Sequence, residues 1–180
     1  MSQTLTAAPV LSSSFDRARK LSRVMALLFT VCFWGAAAIL VCLPAMLIWP
    51  LAGSINVNGV EVAFADLSRP QQFFAFLAAA VNFAPALVLL HHARRVFGAF
   101  AKGEVFLPAT IAHIRSAGVW LIVCFFLGLT TFPLMVAAGL HAPGQIPLDF
   151  WPLVIGVTTV IAAHVMREAA RIAADHAEIV

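Results

Sequence analysis

Glu104, His113 and Arg115 stand within a dozen residues of one another in a chain otherwise poor in charge. A carboxylate, an imidazole and a guanidinium can pass and stabilise protons when a fold brings them together. The same three residues also suit a solvated loop whose long side chains reach for water, which is the plainer reading. No phosphate-cradling glycine loop, nucleophile elbow or paired-cysteine motif accompanies them.

Histidine is the second source of chemistry. His91, His92, His113, His164 and His176 fall toward one end of the apolar runs described below, and His141 toward the other. Imidazole is a common metal ligand. Neighbouring helical positions point about 100° apart, so His91 and His92 share one ion poorly. His91 or His92 with His164 is the pairing that best suits a metal. A transmembrane dihaem protein needs histidine pairs at two depths on facing helices, and the chain lacks them. Polar histidines at an interface are the simpler account. The sequence therefore assigns no catalytic residue, no metal and no cofactor, and the expected protein is not an enzyme.

The surroundings of these residues are unusually apolar. The 180 residues are 62% hydrophobic and 11% charged, with mean hydropathy +0.98. Soluble domains carry about 25% charged residues. No Asp, Glu, Lys or Arg lies between Arg23 and Glu61, Arg69 and Arg94, Arg115 and Asp149, or Asp149 and Arg167. A bilayer core about 30 Å thick is crossed by about 20 apolar helical residues. Spans are expected at 24–49, 71–91, 117–139 and 150–166. The first run is too long for the core of a secretory signal, so it reads as an uncleaved anchor.

Of the 11 Lys and Arg residues, only Arg69 falls in a loop on the side opposite the termini. By the positive-inside rule both termini and the middle loop are expected in the cytoplasm. Net charge divides into +5 inside and −2 outside, consistent with the overall +3. The basic pI thus reports membrane orientation and not direct nucleic-acid binding. Trp49, Trp120 and Trp151 fall near span ends, as an aromatic belt requires. Cys32, Cys42 and Cys124 lie inside spans, and the first two, about 15 Å apart along one helix, cannot form a disulfide.

Residues 1–13 read as a flexible segment, with Ser14 as an N-cap and a short surface helix leading into the first span. Residues 14–180 read as one membrane domain with a helical cytoplasmic tail at 167–180. Alternating Ile55 and Val57, then Asn58-Gly59, then Val60, Val62 and Phe64 predict a small external β-hairpin with a type I′ turn. Pro44, Pro85 and Pro133 are expected to bend their helices. Ala75, Ala79, Asn82 and Ala86 form a small-residue face on the second helix, and Gly156, Thr159 and Ala163 another on the fourth. Such faces pack helices closely in lipid, and Asn82 is suited to bond across the bundle. The expected fold is an all-α four-helix transmembrane bundle.

Lys102-Gly103 ends a helix and Pro108 begins the next, so Lys102–Leu107 is expected to turn a cytoplasmic helical hairpin closed at its tip by Phe97, Phe100 and Phe106. The pattern Phe97-x-x-Phe100-x-x-Gly103-x-x-Phe106, followed by Ile114-Arg115-x-x-Gly118, resembles a bacterial multi-pass membrane-protein family of unknown function with four predicted spans. The ending Glu168…Asp175-His176-Ala177-Glu178-Ile179-Val180 is similar to that family's acidic C-terminal signature. Leu107-Pro108 departs from the Thr common after the last Phe. Members are often encoded beside small helix-turn-helix regulators, so the resemblance implies a cytoplasmic regulator as partner.

The expectation is a regulatory or signalling component of the bacterial inner membrane. Phe97, Phe100, Lys102, Gly103, Glu104, Phe106, Arg115, Glu168, Arg171 and Asp175 are its candidate partner-binding residues. The alternative is a structural or assembly subunit, as a homo-oligomer or within a larger membrane complex, built on the two small-residue faces. A small transporter is disfavoured, because the span cores carry no ionisable acid or base of the Asp, Glu, Lys or Arg kind.

Overall fold

A computed structural model of the chain describes residues 8–48, 54–57, 60–63, 66–139 and 149–177. In chain order these form α1 (Ala8–Ile48), strands β1 (Ser54–Val57) and β2 (Val60–Ala63), α2 (Arg69–Lys102), α3 (Pro108–Ala137) and α4 (Trp151–Ala177). All four helices are long and apolar enough to cross a membrane. Residues 1–7, 178–180, Trp49, the Asn58-Gly59 turn, Phe64 and His141 lie outside the described residues.

Each helix start follows from local chemistry. α1 begins at Ala8 rather than at the expected Ser14 cap, because Pro9 is tolerated in a first turn and nothing from Val10 to Ser14 breaks a helix. Helix and span are therefore one continuous 41-residue element. At α2, the Ser68 backbone N–H and hydroxyl both donate to Gln71 Oε1, at 2.9 and 2.8 Å. Pro70 follows in the first turn, where a missing N–H costs nothing. α4 is opened by Asp149, whose carboxylate accepts from the Trp151 N–H at 3.1 Å. Pro44, Pro85 and Pro133 sit inside helices that run on past them.

Extensive packing joins α1 to α2, α2 to α3 and α3 to α4, so neighbours in sequence are neighbours in space. The end carrying the Lys102–Leu107 connection is called the turn end below. At the far end, Ala75 and Ala138 form a small core flanked by Leu67, Phe74 and Met135. β1 and β2 pair antiparallel beyond it, with Ser54 opposite Ala63 and Val57 opposite Val60.

The buried hydrophobic residues are mostly small, among them Ala75, Ala78, Ala138 and Ala163, and among the described residues no large side chain is fully buried. Large apolar groups face outward instead: Leu27 is 69% exposed, Val41 76% and Trp151 71%. A water-soluble fold hides such groups, whereas lipid solvates them.

α3 and α4 come into direct backbone contact at one crossing. A Cβ added at Gly118 would lie 2.8 Å from the Gly156 carbonyl oxygen, and one added at Gly156 would lie 2.8 Å from that of Gly118. The two backbones touch because neither residue has a side chain. This crossing also sets the depth of α4. Phe150, just before α4, lies 5.6 Å ring to ring from Phe125. α3 then continues to Ala137, about 18 Å of further helix. α4 is thus set back toward the turn end, and Trp151 stands beside the middle of α3 rather than level with its far end.

Gly118→Leu is expected to destabilise the α3–α4 pair by about 1–3 kcal/mol through overpacking, while Gly128→Leu, where an added Cβ meets nothing within 4 Å, leaves stability near wild type. Unfolding in mixed micelles on titration with sodium dodecyl sulfate measures both.

Candidate functional site

The polar groups of the four helices gather at the turn end. α2 closes with a Schellman motif: the Glu104 N–H donates to the Ala99 carbonyl at 2.9 Å and the Gly103 N–H to that of Phe100 at 3.0 Å. Gly103 has φ +85°, a left-handed conformation that glycine adopts without strain. The Arg19 guanidinium of α1 lies against it, with Nη2 3.0 Å from where a Cβ would stand. A cation there faces the negative end of the α2 dipole, as does Lys102 in the last turn. Across the turn, the buried Thr110 hydroxyl donates to the Glu104 carbonyl at 2.8 Å. Thr110 was not singled out by sequence. Its signal is a hydroxyl residue two places beyond Pro108, able to reach back over a turn whose Leu107 start has no capping side chain.

The aromatic residues do not share one role. Phe97 stacks on Phe29 of α1 at 5.3 Å and meets Phe100 edge-on at 6.1 Å. Phe97 thus fastens α2 to α1, with Phe100 against it on the same helix. Phe106 is 60% exposed. Lys102, Gly103, Glu104 and Arg115 are exposed as well.

One step along the helices lies a layer of imidazole and guanidinium groups. His92 Nδ1 and His113 Nδ1 are 3.0 Å apart, joining α2 to α3. That hydrogen bond requires one Nδ1 to carry a proton and the other to accept it. Arg94 places its guanidinium 4.7 Å from the Phe33 ring centroid, a cation–π contact with α1. Its Nη2 also lies 3.4 Å from His91 Nδ1. His164 is exposed on α4 and does not join this layer, so the His91 or His92 pairing with His164 is replaced by His92 with His113. Sequence could not choose between them, because helix depth decides which imidazoles meet. Among the described residues no three His, Cys, Asp or Glu side chains are placed to hold a metal.

The packing face of α2 is shifted from the one expected, whereas on α4 the expected residues lie against α3 or partly covered. On α2 the buried positions are Gln72, Ala75, Ala78, Pro85 and Val96. Ala79 and Ala86 are half-buried. Asn82 is exposed and donates to the Ala78 carbonyl of its own helix at 3.0 Å, so it does not bond across to a neighbouring helix. On α4, Gly156 and Ala163 are buried and Thr159 is half-buried.

Beyond the Gly118–Gly156 crossing, α3 and α4 enclose a groove of about 1300 Å³ that opens toward the turn end. Arg115, His164, Arg167 and Glu168 contribute to its lining. Arg171 pairs with Glu168 at 3.2 Å, and Asp175 and His176 are exposed farther along α4.

Fold and polar end together define an α-helical, multi-pass membrane protein with most of its basic groups at one end. Its narrower kinship is not given by comparison: no family model, curated protein or solved structure matches the chain.

Two outcomes test this geometry. In a double-mutant cycle, His92→Ala and His113→Ala should couple by about 0.5–1.5 kcal/mol, the usual net value of a hydrogen bond, whereas His92→Ala with His164→Ala should show no coupling beyond error. Gly103→Ala should cost about 1–2 kcal/mol for its left-handed backbone. Detergent unfolding curves of the purified chain read both.

Proposed function

We propose that the chain is a non-enzymatic regulatory or signalling component of a bacterial cytoplasmic membrane. It binds a cytoplasmic protein through the Lys102–Leu107 turn and the tail of α4. The observation that carries this reading is the exposure of Lys102, Glu104, Phe106, Arg115, Arg171 and Asp175 at one end of a molecule whose spans offer no ionisable Asp, Glu, Lys or Arg between them. Exposed Phe106 amid charged neighbours is the kind of aromatic anchor that protein interfaces favour. The excess of basic residues at that end supports its placement in the cytoplasm, with both termini. The resemblance of the Phe97–Gly118 stretch to a family encoded beside helix-turn-helix regulators supports a regulator of that type as the partner.

A second reading has one observation in its favour. Asn82 lies exposed inside an apolar helix, with one amide hydrogen bond to its own backbone. An amide facing lipid gains by meeting another helix, which favours a homo-oligomer or a subunit of a larger membrane complex.

Cysteines introduced at positions 102 and 56 test orientation. A maleimide that cannot cross membranes should modify Asn56→Cys on intact cells and Lys102→Cys only after lysis; equal labelling ends the topological argument. Photo-crosslinkers at 106 and 171 should then trap a soluble protein that crosslinkers at 31 and 41 do not. No such adduct, together with a larger complex that dissociates in Asn82→Leu, would establish the subunit reading in its place.

A further inference from the structure

The groove between α3 and α4 has an architecture that neither reading explains. It runs beside the place where the Gly118 and Gly156 backbones touch, with Val119 and Trp120 of α3 at that end. Among the described residues α4 packs extensively on α3 alone, so the groove lies open at the side to whatever surrounds the protein. Its walls change character along its length. Val119 and Trp120 line it at the crossing, Arg115 and Ile161 stand about a turn farther along, and His164 and Arg167 lie beyond them toward the turn end among the apolar groups of Ile111 and Ala170.

The charges there are unbalanced. Glu168 is the one carboxylate on the lining, and it is engaged by Arg171 at 3.2 Å. Arg115 and Arg167 make no ion pair among the described residues. Two guanidiniums without counter-ions thus flank a trough lined for the rest mostly by apolar side chains. Guanidinium forks match phosphate oxygens bidentately. Arg115 also stands where α3 passes from its polar start into its apolar run, the level at which lipid phosphates lie when the helix crosses a bilayer.

We propose that this groove is a binding site for one anionic phospholipid of the surrounding bilayer, its phosphate held between Arg115 and Arg167 and one acyl chain laid along Val119, Trp120 and Ile161. The site rests on the transmembrane reading of α3 and α4 but not on any cytoplasmic partner. A soluble anion would leave the apolar wall uncovered, and a neutral lipid would leave the two arginines unmatched. Basic pockets between membrane helices select anionic headgroups for this reason.

Native mass spectrometry of the purified full chain tests it, with phosphatidylglycerol and phosphatidylcholine of equal chain length as competing probes. The wild type should retain phosphatidylglycerol preferentially. Arg115→Gln with Arg167→Gln should weaken that retention by about 30-fold, the equivalent of two basic contacts at a membrane surface. Arg95→Gln, a change at an exposed arginine of α2 outside the groove, should leave it unaltered. Ile161→Trp, which fills the trough without touching a charge, should also reduce it, and this variant decides the matter if the arginine pair fails to fold. Equal retention of the two lipids overturns the proposal, as does an equal loss in Arg95→Gln. Competition by free glycerol phosphate as effective as that by phosphatidylglycerol overturns it too, by marking a soluble-anion site. A failure of the position-56 and position-102 labelling would remove the bilayer setting altogether, whereas failure here alone leaves the fold and the partner reading intact.

Discussion

A polar atom in hydrocarbon has no water to bond, and this constraint shapes the molecule at every scale. It explains why the apolar runs are helices, whose backbone bonds close within one segment. It also explains what the few polar side chains on the shafts do. Thr30 donates to Ala26 O at 2.7 Å, Thr130 to Leu127 O at 2.8 Å and Thr158 to Val154 O at 2.8 Å. Each hydroxyl returns to a carbonyl of its own helix one turn back, and Asn82 does the same with Ala78. Among the described residues no buried side-chain nitrogen or oxygen lacks a partner. The shafts thereby become chemically quiet without becoming purely aliphatic.

With no hydrophobic drive to bring helices together in lipid, packing relies on close approach and on polar contacts at the ends. The molecule uses both. Close approach occurs at Gly118 and Gly156, and small buried residues cluster at Ala75 with Ala138. Polar and aromatic ties collect toward the turn end: His92 to His113, Arg94 over Phe33, Arg19 against Gly103, and Phe29 on Phe97. α1 and α2 are therefore joined chiefly by rings and guanidiniums, and α3 and α4 by bare backbone. The first kind of contact tolerates small displacements, whereas the second is lost with a single added carbon.

The sequence carried the helices and their ends in some detail. Gaps between charged residues located all four helices, and Lys102-Gly103 marked the close of α2. These features are local, and local chemistry is written in neighbouring residues. What could not be read is relative depth. Two helices of suitable composition can slide past one another by several turns without changing either pattern. The fit of Gly118 against Gly156 fixes the slide of α4 along α3 and leaves His164 on the groove, while the separate packing of α2 on α3 sets His92 against His113. The same ignorance of depth made Phe97 a candidate for the tip, when Phe29 of α1 had already covered it. The alanine faces were misjudged by less, since buried Ala78 and half-buried Ala79 are adjacent and a rotation of one residue exchanges them.

The set-back of α4 has a mechanical consequence. Beside α3 the helical apolar surface reaches the level of Ala137, yet beside α4 it stops at Asp149 and the first turn, about 18 Å sooner. The apolar wall of the helices is therefore stepped, tall on one flank and short on the other. Where such a wall meets a bilayer, the difference is taken up by tilt, by a neighbouring helix or by local thinning, each at a cost that rises with the mismatch.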